Sequence, residues 1–271
     1  MGINLEELHE QLLSITSDII DTCEENGIDY FMSWGSCLGA VRHQNIIPWD
    51  DDADMYILYK DYKKLKRVFQ KKTDGKYFYQ DIDTDKNYFV PFSKIRKNNT
   101  TSMYEKHKTY EMHWGICVDL FPLFEYDKPV ADKATKRKIF WLKKLAYLPY
   151  YKMEKETKIQ KVATVIYKIF GEKTRQQIFY KIFNSIEKKG DYLLDLEGND
   201  FKPVIMKKEV FYPAVKKQFG EMEVKVPGNY DYYLSSVYGN NYMDVPKEGS
   251  KFRYAHDGII VDCHKSYKEY Q

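Results

Sequence analysis

Four carboxylates crowd into five positions at Asp50-Asp51-Asp52-Ala53-Asp54, directly after Pro48-Trp49 and directly before the apolar run Met55-Tyr56-Ile57-Leu58. Charges this close repel one another and oppose compaction unless a counter-charge joins them. A fold for this chain must therefore keep the run where a cation can reach it. Mg²⁺ is the simplest candidate, with Mn²⁺ able to take its place. Residues 53–58 read as a strand leaving the cluster, and strand side chains alternate faces. Asp52 and Asp54 then share a face, roughly 7 Å apart along the chain, and Asp50 joins them if the strand reaches back that far. Asp51 is expected to point elsewhere and hold the turn. The plain alternatives are a solvated acidic loop and a calcium loop. A calcium loop of the EF-hand kind needs Gly at its sixth position and Glu at its twelfth, where this chain has Met55 and Asp61.

Upstream, Leu5, Leu8, Leu12, Ile15, Ile19 and Cys23 recur at three- and four-residue spacing, which predicts an amphipathic helix ended by Asn26-Gly27. A strand over 28–34, a Gly35-Ser36 turn and a short helix over 38–43 follow. Beyond the acidic strand, the pattern predicts a helix from Asp61 to about Gln70. Strands are expected over 77–80, 89–95 and 115–120, the last bounded by Phe121-Pro122. Interleaved helices and strands give an α/β (α+β) class with a mixed sheet flanked by helices.

The composition changes after Asp127-Lys128-Pro129. Residues 131–161 carry ten Lys or Arg against three Asp or Glu, interrupted by Ile139-Phe140-Trp141-Leu142 and Leu145-Ala146-Tyr147-Leu148. An added helical subdomain running to about Ile186 is expected. Its basic, aromatic-rich face either meets an anionic membrane surface or polyanionic acceptor, or is a solvated face over ordinary helix packing. The chain thus reads as one composite domain: a catalytic core over 1–126, the helical subdomain over 127–200, and a C-terminal segment over 201–271 that completes the site. That last segment contains a short strand over 223–227 and a helix over 230–238 closed by Gly239.

A net charge of only +3 argues against a nucleic-acid-coating polycation. No apolar run follows Met1 and none of about 18 residues occurs anywhere. Cys23, Cys37, Cys117 and Cys263 lack paired spacing, so neither a zinc site nor a disulfide framework is indicated. These features place the chain in the cytoplasm, or at the inner membrane surface, with reduced thiols.

A Gly-Ser after a strand, an Asp-x-Asp opening the next strand, and an acid on a later strand resemble the arrangement that the nucleotidyltransferase fold uses to hold a nucleotide and its metals. The pieces here are Gly35-Ser36, Asp52 with Asp54, and Asp119. Gly35 allows close approach of a phosphate, and the Ser36 hydroxyl and following amides can donate to it. The words Leu38-Gly39-Ala40-Val41-Arg42-His43, Ile47-Pro48-Trp49-Asp50-Asp51-Asp52-Ala53-Asp54, Lys94-Ile95-Arg96 and Gly115-Ile116-Cys117-Val118-Asp119-Leu120-Phe121-Pro122 together resemble the LicD family of phosphotransferases. Tyr238-Gly239-Asn240-Asn241-Tyr242-Met243 and the later His256 follow in similar order.

The resemblance implies a nucleotidyltransferase-like fold. It also implies Mg²⁺-dependent transfer of an alcohol phosphate, foremost phosphocholine from CDP-choline, to a hydroxyl of a cell-wall glycan or a lipid-linked teichoic acid precursor, with CMP leaving. Asp52, Asp54 and Asp119 are the expected metal ligands and catalytic carboxylates; Asp119 either holds a second metal or accepts the acceptor's proton. Arg42 and Lys94 either contact donor phosphates or pair with the acidic loop. His256 orients phosphate, serves as an acid or base, or is a surface histidine. A choline head group needs ring faces around it, and Trp34, Tyr56 and Trp114 are candidates by proximity. The rivals are transfer of a ribitol, glycerol or ethanolamine phosphate, true nucleotidyl transfer, and a non-catalytic polyanion- or membrane-binding role.

Overall fold

Asn4 caps the first helix, its side chain accepting from the Glu7 amide at 3.4 Å, and the apolar stripe of α1 (Leu5–Glu25) buries Leu8, Leu12, Ile15, Ile19 and Cys23. The computed structural model describes residues 3–72, 75–154, 158–198, 203–247 and 258–271. After α1 come β1 (Tyr30–Met32), α2 (Trp34–Arg42), β2 (Asp54–Leu58), α3 (Tyr59–Lys72), β3 (Tyr77–Gln80), β4 (Ser93–Lys97), β5 (Thr101–Tyr104) and β6 (Cys117–Tyr126). The helical pair α4 (Lys133–Glu154) and α5 (Lys158–Asn184) follows, α5 breaking at Gly171. The remainder is β7 (Tyr192–Asp195), β8 (Val204–Lys207), α6 (Lys208–Phe211), β9 (Val215–Phe219), β10 (Met222–Val226), α7 (Tyr230–Tyr238) and β11 (Ile259–Asp262).

The main sheet is mixed, as the interleaved pattern predicts. Its order is β1-β2-β6-β4-β3, with β7 and β8 continuing from the second half of β6. Among the described residues only β2 and β6 run parallel in this sheet; the other pairs are antiparallel. Two small two-stranded sheets stand apart from it, the hairpin β9-β10 and the long-range pair β5-β11. One apolar core covers both faces of the half of the main sheet that holds β1 and β2: Ile15, Met55, Leu65 and Leu120 are buried in it, as is Phe31, which packs edge-on against Phe211 and Tyr212. A second fills the space under α4 and α5, around Phe124, Leu142, Phe179 and Phe183.

Several expected boundaries shift, each for a physical reason. The strand predicted over 28–34 shortens to β1, because Trp34 adopts a left-handed φ of 45° that turns the chain into α2 at once. Gly35 and Ser36 therefore lie in the first turn of that helix rather than in a turn before it. The strand expected over 89–95 forms only from Ser93. Most instructive is Pro122, expected to end a strand yet found inside the central one. The Asp119 amide donates to the Ala53 carbonyl on the β2 side at 2.9 Å, so by alternation residue 122 faces the other side. There β4 pairs only as far as Leu120 and β7 begins at Leu123. Proline's missing N–H thus falls in a gap between partners, where no ladder bond is lost.

Candidate active site

The turn between α2 and β2 brings Asp50, Asp51 and Asp52 together, with one oxygen from each lying within 4.8 Å of the others. Strand parity does not govern Asp52, because β2 begins only at Asp54. Asp51, expected to point away, is part of the group. Among the described residues Asp54 and Asp119 do not belong to that triad, but they sit beside it. Lys94, Asp119 and Asp54 form one row across β4, β6 and β2.

Several contacts hold this frame. The Asp54 amide donates to the Ser36 hydroxyl oxygen at 2.8 Å, and the Ser33 amide donates to the Asp54 carbonyl at 3.0 Å. His9 Nε2 on α1 reaches the Asp50 carbonyl at 2.8 Å. A methyl group at Gly35 would lie 2.8 Å from Asp50 Oδ2 and push that carboxylate aside. The anion that closely approaches Gly35 is thus the protein's own Asp50 carboxylate, at the positive end of α2, where a negative charge is favoured.

The acids are crowded. Loss of water and then repulsion from Asp52, Asp119 and Asp50 push the half-buried Asp54 carboxyl well above the usual carboxylate range, with Lys94 pulling the other way. Asp52 is pushed up in the same sense, by loss of water around its carboxyl and by Asp50, Asp51 and Asp119. Asp52 keeps an open outer surface, so repulsion carries more of its shift than burial does. An all-oxygen donor set that repels itself suits a hard divalent cation.

Lys94 is committed to Asp119, donating to both carboxylate oxygens at 2.6 and 2.5 Å. Burial works against its charge, but Asp119 and Cys117 more than offset this and leave its pKa raised. Lys94 thus pairs with Asp119 on β6 rather than with the acidic loop. Arg42 donates to the Tyr242 and Asp244 carbonyls at 2.7 and 3.1 Å and to His43, tying α2 to the segment after α7. His256 lies outside the described residues.

The three aromatic candidates separate. Tyr56 is buried, donates to Asp195 at 2.7 Å and receives the Tyr233 hydroxyl at 3.3 Å. Tyr233 in turn accepts the Trp34 amide at 2.9 Å. Tyr56 therefore belongs to a buried polar network rather than to an open cage, and Trp34 joins that network through its backbone amide. Trp114 lines a cavity of about 280 Å³ together with Asp51, Asp52, Lys94 and Asp119. Its ring already carries the Arg96 guanidinium at 5.6 Å and stacks on His107.

Sequence reasoning missed the other rings of this wall: Tyr88, Phe89 and Tyr104. Tyr88 is almost fully buried, and its hydroxyl finds no hydrogen-bond partner among the described residues. Burial and nearby Asp119 hold that phenol well above its usual pKa. Ile259 on β11 also lines the cavity, brought there by pairing with Tyr104 on β5. No local pattern marks these residues. The only available signal was their position between motif words.

Residues 27–154 match the model of the LicD/FKTN/FKRP nucleotidyltransferase domain. Over 259 residues, 89% of this chain and 93% of the relative, the sequence is 26% identical to the lipopolysaccharide cholinephosphotransferase LicD of Haemophilus influenzae. A shorter stretch of 43 residues, 16% of this chain and 9% of the relative, is 44% identical to the human ribitol 5-phosphate transferase FKRP. An uncharacterized protein of Rickettsia prowazekii is 40% identical over 57 residues, 21% of each chain.

Proposed function

The chain belongs to the LicD/FKTN/FKRP nucleotidyltransferase-domain family and is a LicD-family phosphotransferase, and on that premise we propose that it transfers phosphocholine from CDP-choline to a hydroxyl of a glycan acceptor, releasing CMP. One observation carries this reading: Asp51 and Asp52 of the self-repelling acidic group, together with Asp119, line the same cavity as Phe89, Tyr104 and Trp114. A quaternary ammonium is held by ring faces. A polyol head group would instead need a set of hydrogen-bond partners, and several polar groups on this wall are already engaged. Arg96 donates to Gln80 and to the Gly115 carbonyl, and Lys94 to Asp119. The length of the match to the Haemophilus influenzae enzyme supports the same choice over ribitol phosphate.

The acidic group fits Mg²⁺, which Asp52 would hold with Asp50 and Asp51, while Asp54 stands beside them in the row it shares with Asp119, and Asp119, held by Lys94, faces the same cavity. Bound there, the cation would offset charge on the diphosphate and on the departing CMP. The chain's own part is placement. Asp50 and Gly35 set the loop against α2, Lys94 holds Asp119 in a fixed orientation, and the aromatic wall orients the head group so that attack and departure can lie in line.

Incubation of the purified protein with choline-labelled CDP-choline, a glycan acceptor and Mg²⁺ tests this. The expected products are CMP and a choline-bearing acceptor, with CDP-ribitol a poorer donor. Asp52→Asn should lower turnover by about 100-fold, the scale of losing one electrostatic contact to a transition state, without lowering the melting temperature. Recovery of an acceptor-bound nucleotide would instead identify a nucleotidyltransferase. Equal turnover of the Asp52 variant would remove the metal assignment.

A further inference from the structure

Helix α4 buries Ile139, Leu142 and Ala146 on its inner side, and its outer side is unusual. Between Lys133 and Met153 the helix has seven Lys or Arg and no Asp or Glu. Two of the seven turn inward: Lys138 donates to the Ser185 carbonyl at 2.8 Å, and Lys143 lies 3.2 Å from Glu197. The outward stripe is Lys133, Lys136, Arg137, Phe140, Trp141 and Lys144, all exposed.

The two aromatics are adjacent and more than half open to solvent, Phe140 at 53% and Trp141 at 54%, with Val130 beside them in the chain's approach to the helix at 67%. Lys144 Nζ stands 5.5 Å from the centre of the Phe140 ring. The acid at the start of the helix does not face this stripe as a counter-charge. Asp132 caps the Thr135 amide at 2.8 Å and pairs with Lys128 and Lys188. Beneath Phe140 an open groove of about 1010 Å³ runs past Val130, Lys136 and Lys144 to Ile205.

Exposed Phe and Trp flanked by Lys and Arg, with acids excluded, match the surface of an anionic bilayer. Rings of this kind settle at the headgroup level, while each cation gains from the negative surface potential. No helix among the described residues is long and apolar enough to cross a membrane, so contact through α4 would be peripheral. We infer that the outer face of α4, centred on Phe140 and Trp141, docks the protein on an anionic phospholipid bilayer. The inner side of the same helix explains what docking accomplishes. Tyr147 and Tyr150 pack on Phe89 at ring separations of 6.0 and 5.1 Å, and Phe89 walls the cavity beside the acidic group. A docked α4 therefore holds that cavity close to the membrane surface.

Co-sedimentation of the full chain with vesicles tests this independently of any turnover. Wild-type protein should pellet with vesicles of phosphatidylcholine mixed with phosphatidylglycerol, stay in solution with phosphatidylcholine alone, and be released as salt is raised. Phe140→Ser with Trp141→Ser should weaken partitioning by about tenfold or more. Lys136→Gln with Arg137→Gln and Lys144→Gln should do the same, both at unchanged melting temperature because every altered side chain is exposed. Three results would overturn the inference: wild-type protein left in the supernatant with mixed vesicles; equal partitioning of the Phe140/Trp141 variant, which would indicate a general polyanion surface; or a dimer in solution that the same variant converts to monomer, which would show that a second copy covers the face.

Discussion

Tyr88 carries a buried hydroxyl with no hydrogen-bond partner among the described residues. A buried hydroxyl without a partner costs about 1–3 kcal/mol relative to a bonded one, and this one borders the cavity beside Asp119. If the cavity takes substrate, the missing partner is a substrate atom. Tyr88→Phe keeps the ring and removes the hydroxyl. Its melting temperature is expected to equal or exceed that of the wild type, while KM for CDP-choline rises several-fold and kcat changes less. A matched fall in melting temperature and activity in steady-state kinetics would instead make the hydroxyl structural. Tyr56 gives the contrast. It lies next to a motif word in the chain, but its hydroxyl is bonded to Asp195 and its ring packs edge-on against Phe121, Phe211 and Tyr233.

At the level of elements, the site depends on how α2 and β2 meet. The nine-residue α2 presents its first turn to Asp50, and the spacing leaves no room for a side chain at Gly35. Gly35→Ala should gain up to about 1 kcal/mol from helix propensity while forcing the Asp50 carboxylate aside. The expected outcome is a protein that melts at or near the wild-type temperature but needs several-fold more Mg²⁺ for half-maximal turnover, read from a metal titration. An unchanged titration would show that Asp50 takes no part in holding the cation. The parallel pairing of β2 with β6 aligns Asp54 with Asp119, and the antiparallel pairing of β4 with β6 aligns Asp119 with Lys94. Pro122 is tolerated in β6 because the partner strand on that side changes from β4 to β7 around it.

For the whole molecule, two groups away from the site give stability opposing pH dependences. Burial pushes the Glu187 carboxyl up to about 7 from 4.5, although it accepts the Glu125 amide at 3.1 Å. The folded state thus holds a proton that the unfolded chain has released. This contribution is fully present below about 4.5 and is lost as pH rises through about 7. His113 is lowered to about 3 by burial and by Arg96, so its contribution is present above 6.5 and lost as pH falls toward 3. Glu187→Gln, which keeps an acceptor for the Glu125 amide, should reduce the fall in melting temperature between pH 5 and pH 8 and leave the acid side unchanged. An identical pH profile would show that Glu187 titrates normally. The amino-acid sequence by itself determined the stripe of α1, the bounds of β3, the α7 helix ending at Gly239, the mixed α/β class and the family words around the acidic run. Each of these is written in neighbouring residues, through periodicity, caps or covalent adjacency. Only the tertiary structure decided that Asp51 joins Asp50 and Asp52, that Lys94 is held by Asp119, and that Tyr88, Phe89 and Tyr104 wall the cavity with β11 closing beside β5. Those arrangements depend on which distant segments pair and in what register, and a linear pattern of residues does not carry that information.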